Sequence, residues 1–270
     1  MTRATSADGT VGKALEVLDQ IAAFGRPVRF SELLDASPFP KATLYRFVQT
    51  LTNQGMLAYD ADRQTYAPGL RLVRLAHAAW TQSSLAPVAR PMIDQLSAKL
   101  GETVHLAQLD HGHVLYVDKR NAADPIEMFS QAGRIGPAYC TGVGKAMLAH
   151  LDEETLASVL AMQSFHRFTD KTFTTQQALR EELAAIRQRG HAYDDEEHES
   201  GIICIAMPIL SGNGRVLGAL SVTTSTARND LDGLAQLAPE LRRTAEAIAE
   251  EADNWRFPEH ARSTQRAGAA

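Results

Sequence analysis

The sequence predicts an α/β (α+β) chain in two parts: a small N-terminal head of helices closed by a hairpin, then a larger antiparallel sheet flanked by helices. Three observations carry this. With 270 residues, the chain is long for one small domain and suits two. Apolar residues recur at helical spacing up to about Gln54 and then give way to two short strand-like runs. From Leu85 onward strand and helix patterns alternate, ending in two apolar strands joined by Ser211-Gly212-Asn213-Gly214, a strong hairpin signal.

Taken in order, Val11–Phe24 reads as an amphipathic helix, with Val11, Leu15, Leu18 and Ala22 at helical spacing beside Ala14 and Ile21. Gly25-Arg26-Pro27 ends it. A short helix follows at Phe30–Ala36, with Ser31 as its N-cap. Ser37-Pro38-Phe39-Pro40 breaks the chain, because proline lacks a donor and disfavours helix before it. A third helix runs from Lys41 to Gln54, with Leu44, Phe47, Val48 and Leu51 as its apolar stripe. Met56–Tyr59 and Gln64–Ala67 read as strands about a turn at Asp60–Arg63. This order of elements is that of a winged helix-turn-helix.

The third helix is then the DNA-reading element. Lys41, Thr43, Tyr45, Arg46 and Gln49 lie off its apolar stripe and can contact phosphates and base edges. Arg63 sits at the wing tip, within reach of backbone or minor groove. Charge agrees: residues 1–80 hold nine Lys/Arg and seven Asp/Glu, a head of +2, which leaves −7 of the total −5 for the rest. Pro68–Ser84 begins as a loop and continues as a helix whose Leu72, Leu75, Ala76 and Ala79 suggest a buried face, as a linker or a dimer contact.

In the larger part, Pro87–Leu100 reads as a helix closed by Gly101, and Thr103–Asp110 and Val114–Lys119 as strands about His111-Gly112-His113. Gly142–Leu151 and Ala178–Arg189 read as helices, Ile202–Ile209 and Val216–Thr224 as strands, and Leu231–Ala252 as one long closing helix. Alternation along the last strand puts Ser221 and Thr223 on one face and Leu220 and Val222 on the other, as expected of a sheet that lines a polar pocket. Cys204 shares a face with Ala206. Tyr139–Gly144 leads into a helix, so amides near Gly142 and Val143 are free for a carboxylate. Asp194 opens an acidic run and can accept hydrogen bonds from ligand hydroxyls.

Composition excludes several classes. No apolar run reaches the roughly 18–20 residues of a membrane helix. The polar start MTRATSADGT lacks a secretory h-region, so a cytoplasmic protein is expected. Two cysteines, Cys140 and Cys204, lie far apart, and no C-x-x-C or H-E-x-x-H pattern occurs, so neither a disulfide framework nor a dedicated metal site nor a cofactor is expected. Thr141–Ala146 evokes a phosphate loop but lacks glycine at 139 and Ser/Thr at 146. His111 and His113 read as solvent-exposed.

The stretch Pro40–Leu51, the passage Tyr66–Leu72 and above all Gly190–Gly201 followed by Ile202–Ile209 resemble the IclR family of transcriptional regulators over residues 11–252. One departure is Ser37-Pro38 before Phe39, where members commonly carry glycine. Leu44–Thr50, His105-Leu106, Met128-Phe129-Ser130 and Phe165–Thr169, with slight support from Phe257-Pro258, are similar to its sugar-acid (KdgR-like) branch. The resemblance implies a disordered tail at 1–10, a winged helix-turn-helix at 11–67, a linker helix at 68–84, a GAF-like effector domain at 85–252 and a C-terminal tail at 253–270. It implies operator DNA as partner, a homodimer or dimer of dimers, and repression as the usual behaviour. The effector would be a small anionic metabolite such as 2-keto-3-deoxygluconate. Gly142, Val143, Asp194, Cys204, Ser221 and Thr223 match the family's effector contacts, with Met128 and Tyr139 as walls. The alternative is a small-acid enzyme with Cys204 as nucleophile and His198 or His105 as base. The acidic run Asp194–Glu199 counts against it, because nearby negative charge raises a thiol pKa.

Overall fold

In the computed structural model, residues 9–83, 85–124 and 128–254 are described. Gly9 and Thr10 already belong to the first helix, and Asp253 and Asn254 to the last. The rest of the expected tails, Phe257-Pro258 included, lies outside the described residues. The chain divides into two compact units, Met1–Ala79 and Trp80–Ala270.

The first unit holds helix α1 (Gly9–Ala23), strand β1 (Val28–Arg29), helices α2 (Phe30–Ala36) and α3 (Lys41–Asn53), strands β2 (Leu57–Asp60) and β3 (Thr65–Pro68), and most of α4 (Leu70–Ser83). The strands form a small antiparallel sheet in the order β1-β3-β2, of which β1 was not anticipated. α3 buries Leu44, Phe47, Val48 and Leu51, the expected stripe, against Val17, Leu18 and Ile21 of α1 and Leu57 and Tyr66 of the hairpin. In the broken turn, Phe39 sets its ring edge-on to Phe47 at 5.8 Å, a proline-flanked aromatic filling the corner between α2 and α3.

Three expectations for this unit need correction. α1 buries Val17, Leu18 and Ile21, not the stripe through Val11, Leu15 and Ala22; Val11 is 72% and Leu15 48% exposed. The helix carries two overlapping apolar stripes, and contact with α3 and β3 selects the one nearer its C-terminal end. Ser31 is not the cap of α2: Arg29 holds that position, and its backbone N–H donates to the Glu32 carboxylate at 2.9 Å. Of the four residues expected on a buried face of α4, Leu72 packs against the core of the head, whereas Leu75, Ala76 and Ala79 are exposed on the single chain.

The second unit opens with α5 (Ala86–Leu100), which ends at Gly101 in the left-handed region (φ 71°). Strands β4 (Thr103–Asp110), β5 (His113–Arg120) and β6 (Ile135–Gly136) follow, then helices α6 (Gly142–Leu148), α7 (Glu153–Met162) and α8 (Gln176–Arg189). Strands β7 (Ala192–Asp195), β8 (Ile202–Leu210) and β9 (Val216–Ser225) complete an antiparallel six-stranded sheet, β6-β5-β4-β9-β8-β7. The expected closing helix is two: α9 (Leu231–Ala235) and α10 (Ala238–Asn254). Pro239 cannot donate to an upstream carbonyl, so the first helix stops and a new one starts with Pro239 in its first turn. His111 (φ 46°) and Gly112 (φ 81°) make the β4–β5 turn; His111 is solvent-exposed, whereas His113 belongs to β5 and is half-buried, so its expected exposure is corrected.

Strand alternation assigns each face. Val104, Leu106, Ile203, Ile205, Leu220 and Val222 pack with α5 and α10 on one side. Ala107, Ala206 and Ala219 meet α6, α7 and α8 on the other. The small residues let α6 lie directly on the sheet. Gly142 marks the closest approach, because a Cβ there would collide with the Cys204 sulfur and sit 3.3 Å from the Ala206 Cβ. Gly142→Ala is therefore expected to destabilise the unit by about 1–3 kcal/mol, the usual cost of overpacking. Adding Cys204→Ala should recover part of that loss in urea melts. Equal loss with and without the second change would show that the sulfur is not what Gly142 avoids.

Candidate functional site

On the head, α3 presents Lys41, Tyr45 and Arg46 to solvent, with Tyr45 53% exposed. The Arg46 guanidinium lies 5.9 Å from the Phe47 ring centre and makes no ion pair among the described residues. Thr43 is half-buried. Gln49 is also half-buried, its amide 3.5 Å from the Tyr66 hydroxyl, so it is held against the hairpin rather than presented freely. Arg63 is exposed at the β2–β3 turn, 4.0 Å from the Asp60 carboxylate, which itself accepts the Asp62 and Arg63 N–H groups. Exposed cations on one helix and the adjoining turn are a surface that can meet phosphates.

In the second unit the register builds a polar cavity on the α6 face of the sheet. Asp194 pairs with Cys204, Cys204 with Thr223, and Ser221 with His105, so four strands bring these side chains into two adjacent rows. Met128, Gly142, Val143, Asp194, Cys204, Ser221 and Thr223 all line the cavity. Tyr139 is not on its wall: it is buried beside Phe165 (ring centres 5.1 Å) and its hydroxyl donates to the His166 carbonyl at 2.7 Å, so its expected place as a wall is corrected. His105, Ser130 and Glu199, not singled out as contacts from sequence, line the cavity too. It encloses about 30 Å³, room for one or two water molecules.

His105 is fully buried. One ring nitrogen lies 2.8 Å from the Ser130 hydroxyl and the other 3.2 Å from that of Thr223. Burial, with Lys119 adding repulsion, pushes its pKa down to about 3, so the ring is neutral. No lysine or arginine is among the lining residues. Lys145, three residues past Gly142 on α6, is buried outside this lining, ion-paired with Glu197 and 4.9 Å from the Phe173 ring. One Glu197 oxygen, Oε2, is buried without a partner.

Asp194 accepts the Glu197 N–H at 2.8 Å. Desolvation first, and the Glu197 charge second, hold its carboxyl above the ordinary range, and desolvation moves Glu197 the same way. The folded state thus binds the Asp194 proton more tightly than the unfolded chain. Stability is fullest below the ordinary Asp pKa and is lost as pH rises through the raised value. Asp194→Asn is expected to flatten that fall in a pH series of urea melts; an unchanged slope would show Asp194 ionised throughout.

Cys204 is a poor nucleophile here. Burial and the Asp194 charge push its thiol far above the usual value, and both nitrogens of the nearby His105 are engaged elsewhere.

Residues 10–61 match the IclR helix-turn-helix domain, and residues 77–250 match the bacterial transcriptional regulator IclR C-terminal domain. The HTH-type transcriptional regulator KdgR of Escherichia coli K12 is 30% identical over 251 residues, covering 92% of this chain and 95% of its own. KdgR of Dickeya chrysanthemi is 31% identical, covering 92% and 82%. Among solved structures, Thermotoga maritima IclR aligns with a TM-score of 0.72 at 28% identity, over 90% of this chain and 98% of its own. The C-terminal domain of E. coli KdgR aligns with a TM-score of 0.55 at 31% identity, over 62% and 97%. These relatives are transcriptional regulators, not enzymes, and the KdgR matches agree with the sugar-acid branch suggested by the sequence. Head and sheet unit match the two parts of one family in the same order, and the chain belongs to the IclR family of DNA-binding transcriptional regulators.

Proposed function

We propose that this chain is a cytoplasmic repressor whose operator affinity is set by a small carboxylate effector, of the keto-sugar-acid class that includes 2-keto-3-deoxygluconate. The observation that carries the reading is the buried cavity in which Asp194, Cys204, Ser221 and Thr223 meet the first turn of α6. The first N–H groups of that helix have no intrahelical acceptor, and hydroxyls and a proton-holding carboxyl complete a surface suited to an oxygen-rich ligand. A six-carbon acid needs far more than about 30 Å³. Binding one would therefore widen the cavity, and a difference between empty and filled forms is what lets a ligand bias one state over another.

For the head, we assign Lys41, Thr43, Tyr45, Arg46 and Gln49 to the major groove and its phosphates, and Arg63 to the flanking backbone or minor groove. Exposed Val11 (72%), Leu70 (86%) and Val73 (64%) support a homodimer, or a dimer of dimers, on a two-fold operator. Among the described residues no helix is long and apolar enough to cross a membrane.

The test is ligand titration by thermal shift with small keto and sugar acids, comparing wild type with Ser221→Ala and Cys204→Val. Each change is expected to weaken binding about three- to tenfold, the loss of one modest contact. Unchanged affinity in both variants would remove this cavity as the effector site.

A further inference from the structure

We propose that His105 is a specificity-determining residue of the cavity: through Ser130 and Thr223 it leaves one hydroxyl able to donate and the other able only to accept, and so selects a ligand that carries a hydroxyl as well as carbonyl oxygens. The proposal rests on the cavity being the effector site.

The argument is one of hydrogen parity. Both nitrogens of His105 are engaged by hydroxyls, Ser130 at 2.8 Å and Thr223 at 3.2 Å, and all three residues line the cavity. Neither hydroxyl meets another side chain among the described residues. A neutral imidazole has one N–H and one bare nitrogen. The hydroxyl that receives the N–H keeps its own hydrogen for the cavity. The hydroxyl that serves the bare nitrogen has spent its hydrogen and shows the cavity only lone pairs. Exchanging the tautomer swaps the two but never makes both donors.

Only an imidazolium would turn both hydroxyls into donors, and burial keeps the ring neutral. A ligand made only of acceptors, such as a plain 2-keto acid, therefore sets its oxygens against one spent hydroxyl. A ligand with a hydroxyl of its own matches both. The placement follows from register: His105 stands opposite Ser221 on β9, diagonal to Thr223, while Ser130 comes from the loop after β5. The ring also packs edge-on against Tyr116 at 5.5 Å, which fixes its plane.

The experiment compares binding of pyruvate and hydroxypyruvate, which differ by one hydroxyl, to the full-length protein by calorimetry. Wild type is expected to prefer hydroxypyruvate. His105→Leu frees both hydroxyls to donate, and the preference should fall about tenfold, the worth of one hydrogen-bond mismatch. His105→Gln restores one acceptor and one donor group and should keep the wild-type preference. In parallel, the ¹⁵N shifts of His105 in the wild-type protein should report a neutral ring at neutral pH, a readout that needs no variant to fold. A wild-type preference for pyruvate, a preference unchanged in His105→Leu, or an imidazolium at neutral pH would overturn the proposal. Binding of neither acid to the wild type would also overturn the proposal as drawn, while the effector-cavity reading is decided separately by the Ser221→Ala and Cys204→Val titrations.

Discussion

Lys145→Met is expected to destabilise the sheet unit by about 3–5 kcal/mol, the cost of leaving a buried charge without its partner. The Lys145 ammonium is 1% exposed and its carboxylate partner Glu197 is 6% exposed. Removing the cation leaves Glu197 and Asp194 as two buried acids in contact through the Glu197 N–H. One response is protonation of Glu197, so the loss should be greater at neutral pH than in mild acid, in line with the raised pKa of both carboxyls. The double change Lys145→Met with Glu197→Met should recover most of the stability, because apolar replacement of a whole buried pair is often neutral. Urea melts of the three proteins measure this. A single-variant loss under about 1 kcal/mol, the range of exposed pairs, would mean that the pair is solvated in solution.

If the cavity holds the effector as proposed, the same pair bears on binding. Lys145 lies one turn into α6, whose start forms the cavity wall, and Glu197 comes two residues after the end of the strand that carries Asp194. The bond therefore ties two walls of the cavity from behind. A variant that folds without it should hold an effector less tightly, even though neither side chain is on the wall.

Arg46→Ala is expected to weaken operator binding by about 1–3 kcal/mol, roughly 5- to 150-fold. Arg46 sits on the exposed side of α3, free of carboxylate partners among the described residues, with its guanidinium near the Phe47 ring. That face is opposite the stripe that anchors the helix, so truncation removes a contact without opening the core. Arg46→Lys separates two roles. If Arg46 reads a base through its planar fork, lysine will not replace it. If it holds a phosphate, lysine will restore most of the affinity, and alanine will lower the salt slope by about one ion. Anisotropy titrations at several salt concentrations distinguish these outcomes, and equal affinity of all three proteins would place α3 away from the DNA.

The head was largely legible because its signals are local. The bounds of α2 match the sequence reading, and those of α3 differ by a single residue at the end, because proline, glycine and an unbroken apolar stripe mark them. The error in α1 arose where local signals were degenerate: Val11 and Leu15 share a helical face as Val17 and Ile21 do, and only the packing partner decides between them. Strands β6 and β7 were missed because each is short, two and four residues, and owes its existence to a neighbouring strand. In the site, alternation was enough to place Ser221 and Thr223 on the polar face. It was not enough to find His105, since the register that sets it opposite Ser221 is a long-range fact. Lys145 was passed over within a failed phosphate-loop pattern, and its partner Glu197 lay in an acidic run of which Asp194 alone was singled out as a contact. No periodicity announces a buried pair whose members are 52 residues apart.

The most direct test is anisotropy of full-length protein on DNA from its own upstream region, titrated with 2-keto-3-deoxygluconate. The expected result is tight, salt-sensitive binding that the acid weakens in wild type, with a clearly reduced response in Ser221→Ala. Absence of salt-sensitive binding, or binding that no small keto or sugar acid alters, would contradict an effector-controlled repressor.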